Sequence, residues 1–143
     1  MLYLKPEDLE RIKVIAERTY PHECCGLLVG SAGDGFKRVS RVVEAQNQRS
    51  DSAANRYLIA PEFWLEWDKR LRGSELQILG YFHSHPDVPA RPSQYDRDHA
   101  WPGYSYLIAS VRRGRTAEVL SWLLLEDRSG FEPEEWELES QGS

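Results

Sequence analysis

Cysteine is scarce in this chain, and the shortage is informative. Its only two cysteines, Cys24 and Cys25, are adjacent. Neighbouring residues in a strand face opposite ways, so no ordinary bridge joins them there. They also lack the CxxC spacing of a thiolate zinc site. The expectation is two small buried thiols in a reducing compartment. No apolar run approaches the ~18 residues that span a bilayer. The first residues, Met1 to Asp8, are too acidic and too poor in apolar side chains for a signal peptide. Basic charge is also short: 18 Lys and Arg against 23 Asp and Glu give a net charge of −5. That excludes a cationic field for nucleic acid or an anionic membrane. Internal repeats, low-complexity tracts and linkers are lacking as well. A cytoplasmic protein is expected.

What is there suits one globular domain over residues 1–143. With 41% hydrophobic and 29% charged residues the chain is not of the disordered class. At this length a domain buries roughly 70% of its unfolded surface and needs no staple. Leu9, Ile12, Ile15 and Ala16 predict a helix from Pro6 to Tyr20, with Pro6 at its first position and Pro21 beyond its end. Cys24 to Gly30 reads as a strand covered on both faces. Phe36 to Ala45 returns beside it as a hairpin. Gln46 to Asn55 reads as a loop and Arg56 to Ala60 as a short strand. Pro61 to Leu71 is a second helix, whose Trp64 and Trp67 are expected in packing.

Leu76 to His85 reads as a central strand. Strict alternation puts Leu79, Tyr81, His83 and His85 on one face and Ile78, Gly80, Phe82 and Ser84 on the other. A proline-rich loop, Pro86 to Pro92, and a short helix, Ser93 to His99, follow. Tyr104 to Ser110 and Ala117 to Leu125 are strands, with Tyr104 and Tyr106 in the core. Phe131 to Leu138 is a last edge strand, and the tail ends in a frayed Gln141 to Ser143. This order predicts a mixed α/β sandwich around a curved sheet.

The chemistry is concentrated between His83 and Asp96. His83 and His85 lie on one face at a strand end, so two nitrogens can meet one ion. Ser93 and Asp96 share a helical turn. The loop between is long enough to fold Asp96 back. Two nitrogens and a carboxylate form a catalytic zinc set with a fourth position left for water. Ser93 can donate to a developing oxyanion. A base must come from outside the ligand set, and Glu23, at the entry to the first strand, is the candidate. Each piece has a plainer reading alone. HxH is common, Ser-x-x-Asp is a helix N-cap, and a Glu before a strand is usually solvated. Of the neighbours, His99 could rival Asp96 as a ligand. Asp87 suits a loop position beside the site, and His22 lies close to it in sequence.

Glu23, then His83-Ser84-His85-Pro86, then Ser93-Gln94-Tyr95-Asp96 resembles the JAMM motif of the MPN+ metalloproteases. His22 to Gly30 resembles the E-x-C-G-L-L-x-G segment of bacterial and archaeal members. The likeness runs from about Leu9 to Leu125. It implies a cytidine-deaminase-like MPN/JAB fold, a curved mixed sheet flanked by helices. It implies one Zn²⁺ per chain on His83, His85 and Asp96, with Glu23 as general base and Ser93 stabilising the tetrahedral intermediate. The implied reaction is hydrolysis of a peptide or isopeptide bond after the C-terminal Gly-Gly of a ubiquitin-like or sulfur-carrier protein. Two alternatives are a catalytically silent MPN scaffold and a zinc amidase for small amino-acid adducts.

Overall fold

In this computed structural model, residues 1–47 and 59–139 are described. Strand β1 (Leu2–Leu4) precedes helix α1 (Pro6–Thr19). Strands β2 (Cys25–Gly33) and β3 (Phe36–Ala45) form the hairpin, and α2 (Pro61–Leu71) follows. Strand β4 (Gln77–Pro86) leads through the proline-rich loop to α3 (Gln94–His99). Strands β5 (Ser105–Arg112), β6 (Arg115–Leu124), β7 (Phe131–Glu134) and β8 (Trp136–Leu138) are the last elements of the described residues. The frayed tail expected at Gln141 to Ser143 lies outside the described residues. So do most of the loop expected over Gln46 to Asn55 and most of the strand expected over Arg56 to Ala60; Ile59 and Ala60 are not in a strand. No helix among the described residues is long and apolar enough to cross a membrane.

Among the described residues the eight strands form one sheet in the order β7-β6-β5-β4-β2-β3-β1-β8. Strand β4 sits at its centre, antiparallel to β2 and parallel to β5. The expected last edge strand is really two pieces separated by Glu135. Strand β7 pairs with β6 and β8 pairs with β1, at opposite ends of the order. A single short segment therefore joins both edges, and the sheet is rolled round. Leu2 N–H donates to Glu135 O at 2.9 Å across the join. Trp136 Nε1 donates to Val119 O of β6 at 3.1 Å.

The roll curls around α1. Ile12, Ile15 and Ala16 of α1 pack with Leu28, Phe82, Leu107 and Val111. Helix α2 covers the other face, where Trp67 meets Leu27, Val29 and Ile78. The core is thus a helix inside a curved mixed sheet with a second helix outside, the mixed α/β class expected. One detail of β4 departs from strict alternation. Val29 pairs with Ile78 and Leu28 with Gly80, which leaves Leu79 as an extra residue. This bulge shifts the phase. Leu79 enters the α1 core and Ile78 the α2 side. Beyond the bulge the alternation holds, so Tyr81, His83 and His85 share the α2 side.

Candidate metal centre

The pairing of β2 with β4 delivers the first half of the site. Cys25 lies opposite His83. Cys24 N–H donates to Ser84 Oγ at 2.8 Å, and Ser84 N–H to Cys24 O at 3.2 Å. This places Glu23 at the end of β2 beside the end of β4. Asn47 Nδ2 holds the Glu23 carbonyl at 3.1 Å. One ligand atom from each of Glu23, His83 and His85 lies within 4.8 Å of the others, and all three side chains are buried.

Helix α3 delivers the second half. Ser93 caps it: Ser93 Oγ accepts from Asp96 N–H at 3.1 Å, and Asp96 Oδ2 accepts from Ser93 N–H at 2.8 Å. This reciprocal cap fixes the Asp96 carboxylate. Its Oδ1 lies 3.3 Å from His83 Nε2, and its Oδ2 lies 3.1 Å from His85 Nε2. The two Nε2 atoms are 3.2 Å apart. Capping occupies Ser93 Oγ as an acceptor and leaves its O–H proton available.

The donor set fits a metal. His85 Nδ1 lies 2.9 Å from Pro89 O, a carbonyl that can only accept, so Nδ1 carries the proton. In a neutral His85 ring the bare Nε2 then faces Asp96 Oδ2 and His83 Nε2. The two Nε2 atoms and the Asp96 carboxylate thus converge on one point, where a cation can be held by all three side chains. Burial holds the His83 pKa below its usual value, against the pull of Asp96. Burial alone would raise the Asp96 pKa, but the neighbouring His83 and His85 outweigh it and hold the carboxyl well below the usual range. Two imidazoles and a carboxylate suit Zn²⁺.

Glu23 differs from Asp96 in its surroundings. Its Oε1 is buried and has no hydrogen-bond partner among the described residues. Burial, with the Asp96 charge adding, pushes its pKa up to about 9. A buried carboxyl with raised proton affinity beside a set of ligand atoms is a candidate for proton transfer.

All five motif residues therefore meet, from β2, β4 and α3. The neighbours do not join them. His22 is exposed. Exposed His99 has its Nδ1 2.9 Å from Tyr95 O and stacks on the Tyr95 ring at 4.0 Å. Asp87 accepts from Tyr20 OH at 2.6 Å and from Arg113 N–H at 2.8 Å, a loop clamp. Its pKa is held down by those bonds. Cys24 and Cys25 are free and buried, and burial raises both thiols. Asn47 was not legible as a partner of Glu23. An asparagine in a polar stretch carries no signal of the carbonyl it will meet.

A cavity of about 610 Å³ reaches Tyr81, two residues before His83, and His99, three residues after Asp96. Trp64 and Leu65 of α2, Tyr81 of β4, His99, Trp101, Tyr104 and Tyr106 line it. Tyr106 is buried as expected, while Tyr104 is only partly covered. Trp101 is 63% exposed and Leu65 54%, so the apolar walls open outward.

Residues 6–125 of the chain that folds this way match the family of prokaryotic homologs of the JAB domain, and the chain belongs to that family. A relative, the desampylase of Haloferax volcanii, is 35% identical over 101 residues, covering 68% of each chain. Solved structures agree. A Desulfitobacterium hafniense protein is 33% identical with a TM-score of 0.84, over 99% of this chain and 94% of its own. A Salinibacter ruber protein is 36% identical with a TM-score of 0.74, over 99% and 93%. A JAB1/MPN domain protein from Archaeoglobus fulgidus, 18% identical over 96% of each chain, shares the fold at a TM-score of 0.57.

Proposed function

We propose that this chain is a zinc metallopeptidase that hydrolyses the bond after the C-terminal Gly-Gly of a ubiquitin-like or sulfur-carrier protein. The observation that carries the reading is the convergence of His83 Nε2, His85 Nε2 and the Asp96 carboxylate, with the buried Glu23 carboxyl beside them. His83, His85 and Asp96 would hold one Zn²⁺ per chain. When bound, zinc acidifies a water toward neutral pH and polarises a carbonyl.

The chain's own residues do the rest. Glu23 accepts the proton of the attacking water and returns it to the leaving amine. Burial gives it a higher proton affinity than an ordinary carboxylate, which favours the first of these transfers. Ser93 donates its O–H to the developing oxyanion. The aromatic cavity receives the apolar residues upstream of the Gly-Gly. Tyr81 lines the cavity two residues before His83, roughly 7 Å along an extended strand, which is the span of two substrate residues. A relative named desampylase supports a ubiquitin-like substrate, here a protein rather than a small adduct. A silent scaffold has no need of a buried, protonatable Glu23 beside three ligands. The buried free thiols fit the reducing cytoplasm.

Metal analysis of protein purified without chelator tests the centre. Wild type should carry about one zinc per chain and His83→Ala close to none. Equal zinc in both would rule the centre out.

A further inference from the structure

The loop joining the two halves of the centre cannot hold itself in place. Pro86, Pro89 and Pro92 remove three backbone donors within seven residues. Side chains from β5 and β6 hold it from outside. Ser110 Oγ donates to Val88 O at 2.6 Å, and Trp122 Nε1 donates to Ala90 O at 2.9 Å. Ala90 N–H reaches Glu118 Oε1 at 3.4 Å. Between these anchored peptides lies Pro89, whose carbonyl accepts from His85 Nδ1.

The anchors are in register with the centre. Ser110 of β5 pairs with His85, and Glu118 of β6 pairs with Ser110. Trp122 lies on the same face, in the row that runs through Tyr106 to Tyr81. Three adjacent strands thus present His85 and the anchors of the loop that orients it.

We propose that Ser110 and Trp122 are positioning residues for His85. They fix the backbone on either side of Pro89, so its carbonyl keeps the ring proton on Nδ1 and leaves Nε2 toward Asp96. Neither residue touches the reacting atoms. The proposal rests on His85 being a metal ligand. Outer-shell partners of ligating histidines commonly change metal affinity 10- to 100-fold.

The test uses Trp122→Phe, which keeps the ring and loses the donor, and Ser110→Ala. Nitrogen-15 NMR of the metal-free protein reads the His85 tautomer, and chelator competition reads zinc affinity. Metal-free wild type should hold His85 in the Nδ1–H form. Each variant should mix the tautomers and bind zinc about tenfold more weakly. A mixed or Nε2–H tautomer in wild type overturns the proposal without any variant. So do variants that melt lower yet keep both the tautomer and the affinity, since that is the mark of structural support alone. His85→Ala separates the two layers: zinc affinity equal to wild type there would defeat the ligand reading itself.

Discussion

Glu23 and Asp96 are both buried carboxyls of one small site, and their surroundings drive them apart. Asp96 faces two imidazoles and stays ionised; Glu23 is buried without a hydrogen-bond partner for its Oε1 and feels the Asp96 charge, and its pKa rises to about 9. This has a consequence for metal-free stability. A carboxyl whose folded pKa lies above its unfolded value stabilises fully below the unfolded value, and that contribution is lost as pH rises through the folded one. For Glu23 the window runs from 4.5 to about 9. His83 is shifted downward from 6.5 and Asp96 downward from 3.8, so their opposing slopes lie at lower pH. Between pH 7 and 8.5 the melting temperature of the metal-free protein should fall as pH rises, and Glu23→Gln should flatten that slope. An equal slope in both proteins would contradict the assigned environment. In the loaded protein Glu23→Gln should keep zinc and lose hydrolysis by roughly 10² to 10⁴ fold. At this scale the five motif residues were legible in the sequence because their order and spacing are specific. The unbonded Glu23 oxygen was not, since it depends on which partners the fold supplies.

Strand β4 is the element on which the centre depends. It is held tightly on the β5 side: a Cβ at Gly80 would lie 2.0 Å from Ser105 O, a backbone atom that cannot move aside. Gly80→Ala should therefore cost about 3 kcal/mol in a denaturant melt and weaken zinc binding by displacing His83 and His85. Unchanged stability would mean that the approach to β5 is looser than it stands here. The aromatic cavity belongs to the same element and to α2 and α3. Trp101 contributes an exposed ring to it, so Trp101→Ala should leave folding and zinc content unchanged. Its KM for a ubiquitin-like precursor should rise about tenfold with little change in kcat, because uniform binding is lost. An unaltered KM would remove the cavity from the substrate path. Alternation placed Tyr81, His83 and His85 correctly. It failed at Ile78 and Leu79, because the bulge against Leu28 and Val29 is set by pairing and not by local sequence.

The whole molecule is held together by its last described strands. Phe131–Glu134 and Trp136–Leu138 reach opposite edges of the sheet, and Ser121 Oγ donates to Glu134 Oε1 at 2.7 Å inside the join. Ending the chain at Gly130 should expose the β6 and β1 edges, abolish the cooperative melt and promote association. A cooperative melt in that truncation would show that the roll does not depend on the join. Helix, hairpin, helix and central strand were legible from period and turn residues. Strand β1 was not, because three residues carry too little pattern, and the division of Phe131 to Leu138 between two edges is a long-range outcome. The candidate metal centre joins ends from β2, β4 and α3, so its geometry depends on that global arrangement. The most direct test is mass spectrometry of a ubiquitin-like carrier bearing a short extension after its Gly-Gly, incubated with zinc-loaded wild type and zinc-loaded Glu23→Gln. Wild type should release the carrier with a free glycine carboxylate, and Glu23→Gln should leave the precursor whole. An intact precursor with wild type, a cut elsewhere, or equal cutting by both would contradict the proposed reaction.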